Sequence, residues 1–363
     1  MKKLLTCLLL ALCACGQKVD PTPDPDPEGE TTPPAAPALV TGADVSWLSE
    51  MEHDGKTFRN TDGQTADLFQ ILADLKLNAV RLRVWVNPTG GWSGREDVVA
   101  LAKRAAAKGL SVMVDFHYSD FFADPSTQTI PSAWNADRND LTKMTAHVKD
   151  HTTEVLSALK SAGVTPAWIQ IGNETRNGFL WPAGQLWTSS GDIADGWKHF
   201  VSLYNAGYAA AKAVFPEAKV MPHINNAWED NAWWFDQFKA AGGQFDLIAL
   251  SHYPQTESGK TWQQVNNLAV TNIKALAQKY NCKVMVSEIG IKASDFTLGA
   301  QVMTAFIQAM EDSGVCAGIF YWEPEVYGGW KPAVYSTLGW NAYDMGAFNS
   351  DGSPSAAFKT LSR

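Results

Sequence analysis

Alternation is the feature that most limits what this chain can become. From Leu39 onward, eight short runs of apolar and β-branched residues, at 40–46, 79–86, 110–117, 168–174, 219–224, 245–252, 283–288 and 315–322, read as buried strands. Between and after them lie amphipathic segments at 65–75, 95–108, 139–161, 198–214, 232–241, 263–280, 299–313 and 354–361. Several close on a helix-stop glycine, as in Ala107-Lys108-Gly109 and Ser161-Ala162-Gly163. A strict β/α order predicts a parallel sheet, and eight such units predict a single (β/α)8 TIM barrel of the α/β class over an open doubly wound sheet. No Gly-x-Gly-x-x-Gly follows the first run, which removes support for a dinucleotide fold.

The first forty residues have a different character. Lys2 and Lys3 precede the apolar run 4–12, which is too short to span a bilayer and reads as a secretion leader. Leu12-Cys13-Ala14-Cys15 has the form of a bacterial lipobox, so residues 1–15 are expected to be a signal peptide ending at a lipidated Cys15, with Cys13 or plain secretion as alternatives. Residues 16–38, rich in Pro and Asp, are expected to form an extended linker, and 39–363 the (β/α)8 barrel domain. The expected location is the bacterial cell envelope, lipid-anchored at the outer membrane or cell surface, with membrane contact through that anchor alone. A net charge of −9 and no basic block beyond the leader give no nucleic-acid footprint. Once the leader cysteines are set aside, Cys282 and Cys316 remain; they begin neighbouring strands, and free thiols are expected over a disulfide.

Chemistry collects at strand ends. Trp168-Ile169-Gln170-Ile171-Gly172-Asn173-Glu174 and Lys283-Val284-Met285-Val286-Ser287-Glu288 both end in glutamate. They lie three repeat units of roughly 38 residues apart, which places Glu174 after strand four and Glu288 on strand seven, over one barrel mouth. Such a pair suits retaining glycoside hydrolysis, in which one protonated carboxyl donates to the leaving oxygen and one carboxylate attacks the anomeric carbon. The alternative is that each glutamate only pairs with an arginine. Asn173 offers a donor to a sugar hydroxyl. Arg81 shares a strand face with Arg83 and Trp85, and its partner is either Glu288 or a structural carboxylate, Asp115 or Asp44.

His117, His223 and His252 also end strands; without a second ligand at metal spacing, they read as hydrogen-bonding groups for a hydroxyl-rich ligand, and neither metal nor cofactor is expected. No Gly-x-Ser-x-Gly elbow or P-loop occurs. Of the many rim aromatics, Trp322 closes strand eight beside Glu288, and Trp181 follows Glu174 closely. Loops 119–138 and 175–197 are the expected groove walls.

Six ordered motifs resemble the endo-β-1,4-galactanases of glycoside hydrolase family 53. They are Gly42-Ala43-Asp44-Val45-Ser46, the stretch 80–88, Asp115-Phe116-His117-Tyr118-Ser119-Asp120, Ile171-Gly172-Asn173-Glu174 with Leu180-Trp181-Pro182, Val286-Ser287-Glu288 and Tyr321-Trp322-Glu323-Pro324. The resemblance implies cleavage inside β-1,4-galactan, the side chain of type I arabinogalactan and pectin. It implies Glu174 as acid/base and Glu288 as nucleophile, with Arg81, Asn173, His117, His252, Tyr253 and Trp322 as their supporting shell. Asp115, Asp120, Trp181 and His223 complete the set of candidate substrate-binding or supporting residues.

Three departures bear on the subsites. Phe121-Phe122 stands where the family usually has Thr-Trp, His252 where Tyr is common, and Asn225-Asn226 where aspartate is usual. The loop after Glu288 is short, and the calcium site of some members is not carried over. A polysaccharide partner and a monomer are expected. The rival readings are a mannanase or cellulase, and a non-catalytic surface glycan-binding lipoprotein.

Overall fold

The computed structural model describes residues 39–338 and 344–362. The leader, the proposed lipidation site at Cys15 and the Pro-rich linker lie outside the described residues. Eight parallel strands close into a barrel: β1 (Val40–Asp44), β2 (Ala79–Val84), β3 (Ser111–Phe116), β4 (Trp168–Ile171), β5, β6 (Ile248–His252), β7 (Val284–Ile289) and β8 (Cys316–Trp322). Strand β5 comes in two halves, Lys219–Met221 against β4 and His223–Ile224 against β6. Pro222 separates them, since it has no N–H to give to a ladder. The ring is completed where β1 pairs with β8, from Val40 opposite Gly318 to Asp44 opposite Trp322.

Around the barrel run α1 (Leu68–Asp74), α2 (Arg95–Ala107), α3 (Leu141–Ser161), α4 (Gly196–Val214), α5 (Ala232–Ala240), α6 (Trp262–Tyr280) and α7 (Phe296–Ser313), closed by the short α8 (Ala356–Lys359) packed on α7. Capping chemistry fixes the starts. Asp67 accepts the Gln70 N–H, so α1 begins three residues later than hydrophobic periodicity suggests. Asp295 accepts the Thr297 and Leu298 N–H groups and starts α7 three residues earlier. Thr261 and Gln264 form a capping box at α6.

Two apolar layers result. Strands and helices share one large core, and a second, smaller cluster of Ala79, Met113, Met221, Ala249, Met285 and Phe320 plugs the barrel interior. Phe320 fits because β1 carries Gly42 opposite it; a Cβ there would come within 2.5 Å of the Phe320 ring.

The plug predicts the site by the pleat. Side chains two residues farther along a strand point the same way. Two past Ala79, Met113, Met221 and Ala249 stand Arg81, Asp115, His223 and Ser251, all buried. On β7 the count changes. Leu250 faces Val286 but Ser251 faces Glu288, and Val286 faces Ile319 but Ile289 faces Tyr321, so β7 carries one extra residue. This β-bulge turns Glu288 toward Arg81, while the extra residue, Ser287, is buried with an unbonded hydroxyl.

Sequence periodicity extends β4 to Glu174, whereas its ladder stops at Ile171. Gly172 takes φ +82°, where a Cβ would lie 2.5 Å from Thr175 Cγ2, and Glu174 itself sits at φ +47°. The carboxylate is therefore carried on a tight turn just beyond the strand. Walls of the mouth come from the loops after β3 and β4. The first holds a 3-10 turn, Ser132–Asp137; the second holds two small ribbons, Gly178–Phe179 with Gly184–Gln185 and Trp187–Thr188 with Gly191–Asp192.

Candidate active site

Arg81 organises the floor of the mouth. It is 1% exposed, and its Nη1 reaches Asp44 Oδ2 at 2.7 Å. Its Nη2 lies 2.8 Å from Glu288 Oε1 and 2.8 Å from Asp115 Oδ2, and donates to Asn173 Oδ1 at 2.8 Å. The sequence left open whether this arginine serves Glu288 or a structural carboxylate; one guanidinium serves both. Burial works against its charge, but the three carboxylates outweigh that and hold it firmly protonated. Burial alone would also raise Asp115, yet Arg81 and His117 bring it below the ordinary aspartate value.

Glu174 and Glu288 face each other across this floor. A carboxylate oxygen of Glu174, one of Glu288 and a ring nitrogen of His223 all lie within 4.8 Å of one another. That separation suits a retaining pair, whose carboxyls stand about 5–5.5 Å apart, and falls short of the roughly 6.5–9.5 Å that leaves room for an inverting water. Burial and then the charge of Glu288 raise Glu174 to about 8. Burial raises Glu288 as well, but Arg81 and the Tyr253 hydroxyl, which donates to Oε2 at 2.8 Å, pull it back. A single shared proton therefore resides on Glu174.

The histidines divide. His117 accepts the Ala123 N–H on Nδ1 at 3.0 Å, which puts its ring proton on Nε2, 2.9 Å from Asp115 Oδ2. His223 Nδ1 accepts the Glu174 N–H at 3.2 Å and lies 3.0 Å from Gln170 Nε2 and from Asn173 Oδ1; with two donors on that side, Nε2 carries the proton toward the Ser251 hydroxyl at 2.8 Å. Burial, with Arg81 nearby, holds His223 well below the usual imidazole value and keeps it neutral. His252 goes the other way. On β6 it alternates with Ser251 and Tyr253, so its ring points out of the barrel, bonded to Asn266 at 2.8 Å and stacked on Phe306 at 4.3 Å. It is not part of the mouth, and the departure from tyrosine at this position leaves the groove unaltered.

A cleft of about 310 Å³ lies above, lined among others by His117, Asn173, Glu174, Tyr253, Glu288 and Trp322. Asn173 donates to the Ala123 carbonyl at 2.7 Å and is thereby fixed against the loop after β3. Phe122 also lines the cleft; it packs on the Arg83 guanidinium at 4.7 Å and edge-on to Trp322 at 6.3 Å. Two candidates lie farther off. Trp181, its indole N–H donated to the Asn177 carbonyl at 2.8 Å, lines a separate cavity with Gln128, Thr129 and Arg138. Asp120 clamps loops instead of lining this cleft, accepting from Asn87 N at 3.0 Å and from Ser132 N and Oγ at 2.8 and 2.7 Å. Cys282 and Cys316 are free thiols.

Sequence reasoning missed three inward groups. Gln170 donates to Asp115 Oδ1 and lies 3.0 Å from His223 Nδ1, tying β3, β4 and β5 together. Ser251 sits between His223 and Glu288, 3.3 Å from Oε2. Glu323 pairs with Arg83 and accepts the Trp47 indole N–H at 2.9 Å. Gln170 and Ser251 could have been found by the count of two from the barrel plug. Glu323 could not, because φ +47° carries it off the strand.

Comparison with known proteins gives the same neighbourhood. The glycosyl hydrolase family 53 profile matches residues 40–302. A probable arabinogalactan endo-β-1,4-galactanase A of Aspergillus fumigatus is 33% identical over 320 residues, covering 80% of this chain and 85% of that one. An arabinogalactan endo-β-1,4-galactanase of Thermothelomyces thermophilus is 31% identical, covering 78% and 90%. Among solved structures, a fungal β-1,4-galactanase superposes with a TM-score of 0.74 at 29% identity, covering 90% of this chain and all of that one.

Proposed function

The chain belongs to glycosyl hydrolase family 53, and from that premise we propose that it is a retaining endo-β-1,4-galactanase acting on the galactan of type I arabinogalactan and pectic side chains. The observation that carries the chemistry is the Glu174–Glu288 pair, with oxygens within 4.8 Å and Arg81 bound to Glu288 alone of the two. Glu288 attacks the anomeric carbon while Glu174 protonates the departing glycosidic oxygen. A water then gives its proton to Glu174 and its oxygen to the anomeric carbon, releasing Glu288. Arg81 and Tyr253 keep Glu288 anionic, and Asn173 and Trp322 face the sugar in the −1 position. The substrate reading is supported by relatives named as galactanases at about one-third identity over four-fifths of the chain.

Incubation with pure β-1,4-galactan, mannan and cellulose tests this. Release of a ladder of short galacto-oligosaccharides from galactan alone is expected; ladders from mannan or cellulose would select the rival enzymes. Binding to galactan without reducing-end release would make it a glycan-holding protein.

The address is a proposal of its own: cleavage before Cys15, lipidation of that residue, and a monomeric barrel held off the envelope surface by the Pro-rich linker. Growth with labelled palmitate should label the wild-type chain and not Cys15→Ser, which should appear in the soluble fraction.

A further inference from the structure

Ser251 is buried at 1% exposure between the two glutamates and belongs to neither. His223 Nδ1 faces two donors, the Glu174 backbone N–H at 3.2 Å and Gln170 Nε2 at 3.0 Å, against one acceptor, Asn173 Oδ1 at 3.0 Å, so we assign the imidazole proton to Nε2, which donates to Ser251 Oγ. The serine hydroxyl therefore accepts from His223 and keeps exactly one proton to give away. Two carboxylates compete for it. Glu288 Oε2 lies 3.3 Å away, long for an O–H···O bond, and Glu174 stands on the other side, one of its oxygens within 4.8 Å of Glu288 and of a His223 ring nitrogen, with the Ser251 hydroxyl favouring its charged form. Glu288 Oε2 has a second donor in Tyr253, and Oε1 has Arg81; the groups nearest Glu174 include Glu288 and Asp124, which repel its charge.

The two-step reaction exchanges the charge between these residues. Before the first step Glu288 is the anion and Glu174 holds the proton. In the glycosyl-enzyme, Glu288 is an uncharged ester and Glu174 is the anion, which must then act as a base toward water. We propose that Ser251, held by His223, is a one-proton toggle: its hydroxyl donates to Glu288 in the free enzyme and rotates to Glu174 in the glycosyl-enzyme, supporting whichever carboxylate is charged. Rotation about Cβ–Oγ makes and breaks only hydrogen bonds, so no net proton moves and His223 stays neutral throughout. The charged and titratable groups around the toggle are Arg81 on β2, Asp44 on β1, Asp115 on β3 with His117 after it, Asp124 in the following loop, and Tyr253 beyond β6. This assignment rests on the retaining galactanase reading above.

The test compares Ser251→Ala with Tyr253→Phe. Two pH profiles are read: kcat/KM on β-1,4-galactan, whose acid limb reports Glu288 in the free enzyme, and kcat on 2,4-dinitrophenyl β-1,4-galactobioside. That leaving group needs no acid, so deglycosylation limits turnover and the acid limb of kcat reports Glu174 as base. Ser251→Ala should move both acid limbs upward by about one pH unit, the scale expected for losing one hydrogen bond to a charged group. It should also lower kcat and KM together on the aryl substrate as glycosyl-enzyme accumulates. Tyr253→Phe should move only the galactan limb. If Ser251→Ala moves only the galactan limb, the serine is a fixed donor to Glu288 and the toggle is wrong; movement of neither limb refutes it as well. Should the alanine variant not fold, Ser251→Cys carries the same readout through its weak thiol donor. Wild-type enzyme that releases nothing from galactan would instead overturn the substrate reading.

Discussion

Replacing Arg81 by Met exposes how the floor of the mouth is balanced. The guanidinium is the shared partner of Asp44, Asp115 and Glu288, each within 2.8 Å, and it is 1% exposed. Methionine retains the stem and removes the charge, leaving three carboxylates close together without a counter-ion. Breaking a buried ion pair from one side costs about 3–5 kcal/mol, which corresponds to a melting temperature lower by roughly 5–15 °C. The penalty depends on pH in a definite direction. In wild type, Asp115 has a depressed pKa, so its contribution is present above the unfolded value and lost as pH falls through the folded one. In the variant the same carboxylates are raised, so they favour the folded state only when protonated. The stability gap between the two proteins should therefore be widest near pH 8 and close toward pH 4. Glu288 loses its main source of depression, and the acid limb of kcat/KM on galactan should rise by about one to two units. Melting curves across pH 4–9 and reducing-end assays over the same range measure both effects. A stability gap that is constant with pH, together with an unmoved acid limb, would falsify the claim that Arg81 holds these charges.

Other outcomes follow from the same geometry. Glu288→Ala should abolish turnover on galactan while the circular dichroism stays that of wild type; near-normal activity would remove the displacement mechanism. Glu174→Gln should lose about 10²–10⁴ of kcat on galactan yet still show a burst of dinitrophenol from the aryl galactobioside, and a missing burst would argue against its role as acid. The alkaline limb of wild-type kcat/KM should fall near pH 8, because activity needs the Glu174 proton and is lost as pH rises through that value. The same raised pKa makes Glu174 cost stability at high pH, so Glu174→Gln should melt a few degrees above wild type at pH 9 and level with it at pH 4. Gly172→Ala, placed at φ +82° with its Cβ 2.5 Å from Thr175, should destabilise by about 1–2 kcal/mol and lower kcat by displacing the Glu174 turn; an unchanged kcat would show that the turn adapts.

The barrel was legible because alternation of periodicities is a statement about which faces are buried, and all eight strands and eight helices lie where that pattern put them to within a few residues. The residual errors at α1 and α7 came from Asp67 and Asp295, whose caps act over one turn and leave no mark on periodicity. In the site, Arg81, Asp115, His117, Asn173, His223 and Tyr253 lie together around the two glutamates, since strand-end residues of a barrel share one mouth. His252 was misjudged by treating a strand end as one place, although neighbouring residues there face opposite sides. Ser251 and Gln170 were overlooked because small or neutral polar residues in an apolar run carry no signal until the inward face is known.

The extra residue in β7 has a consequence for anyone who copies this site. Inside and outside on a strand are assigned by odd and even count, and Ser287 resets the count just before the nucleophile. A gap-free transplant of Val284–Ile289 onto a regular strand would deliver a serine to Arg81 and turn the carboxylate into the helical layer. The insertion of one residue is in this sense as much a part of the catalytic apparatus as the glutamate it presents, and a designed barrel would have to inherit the miscount along with the side chain.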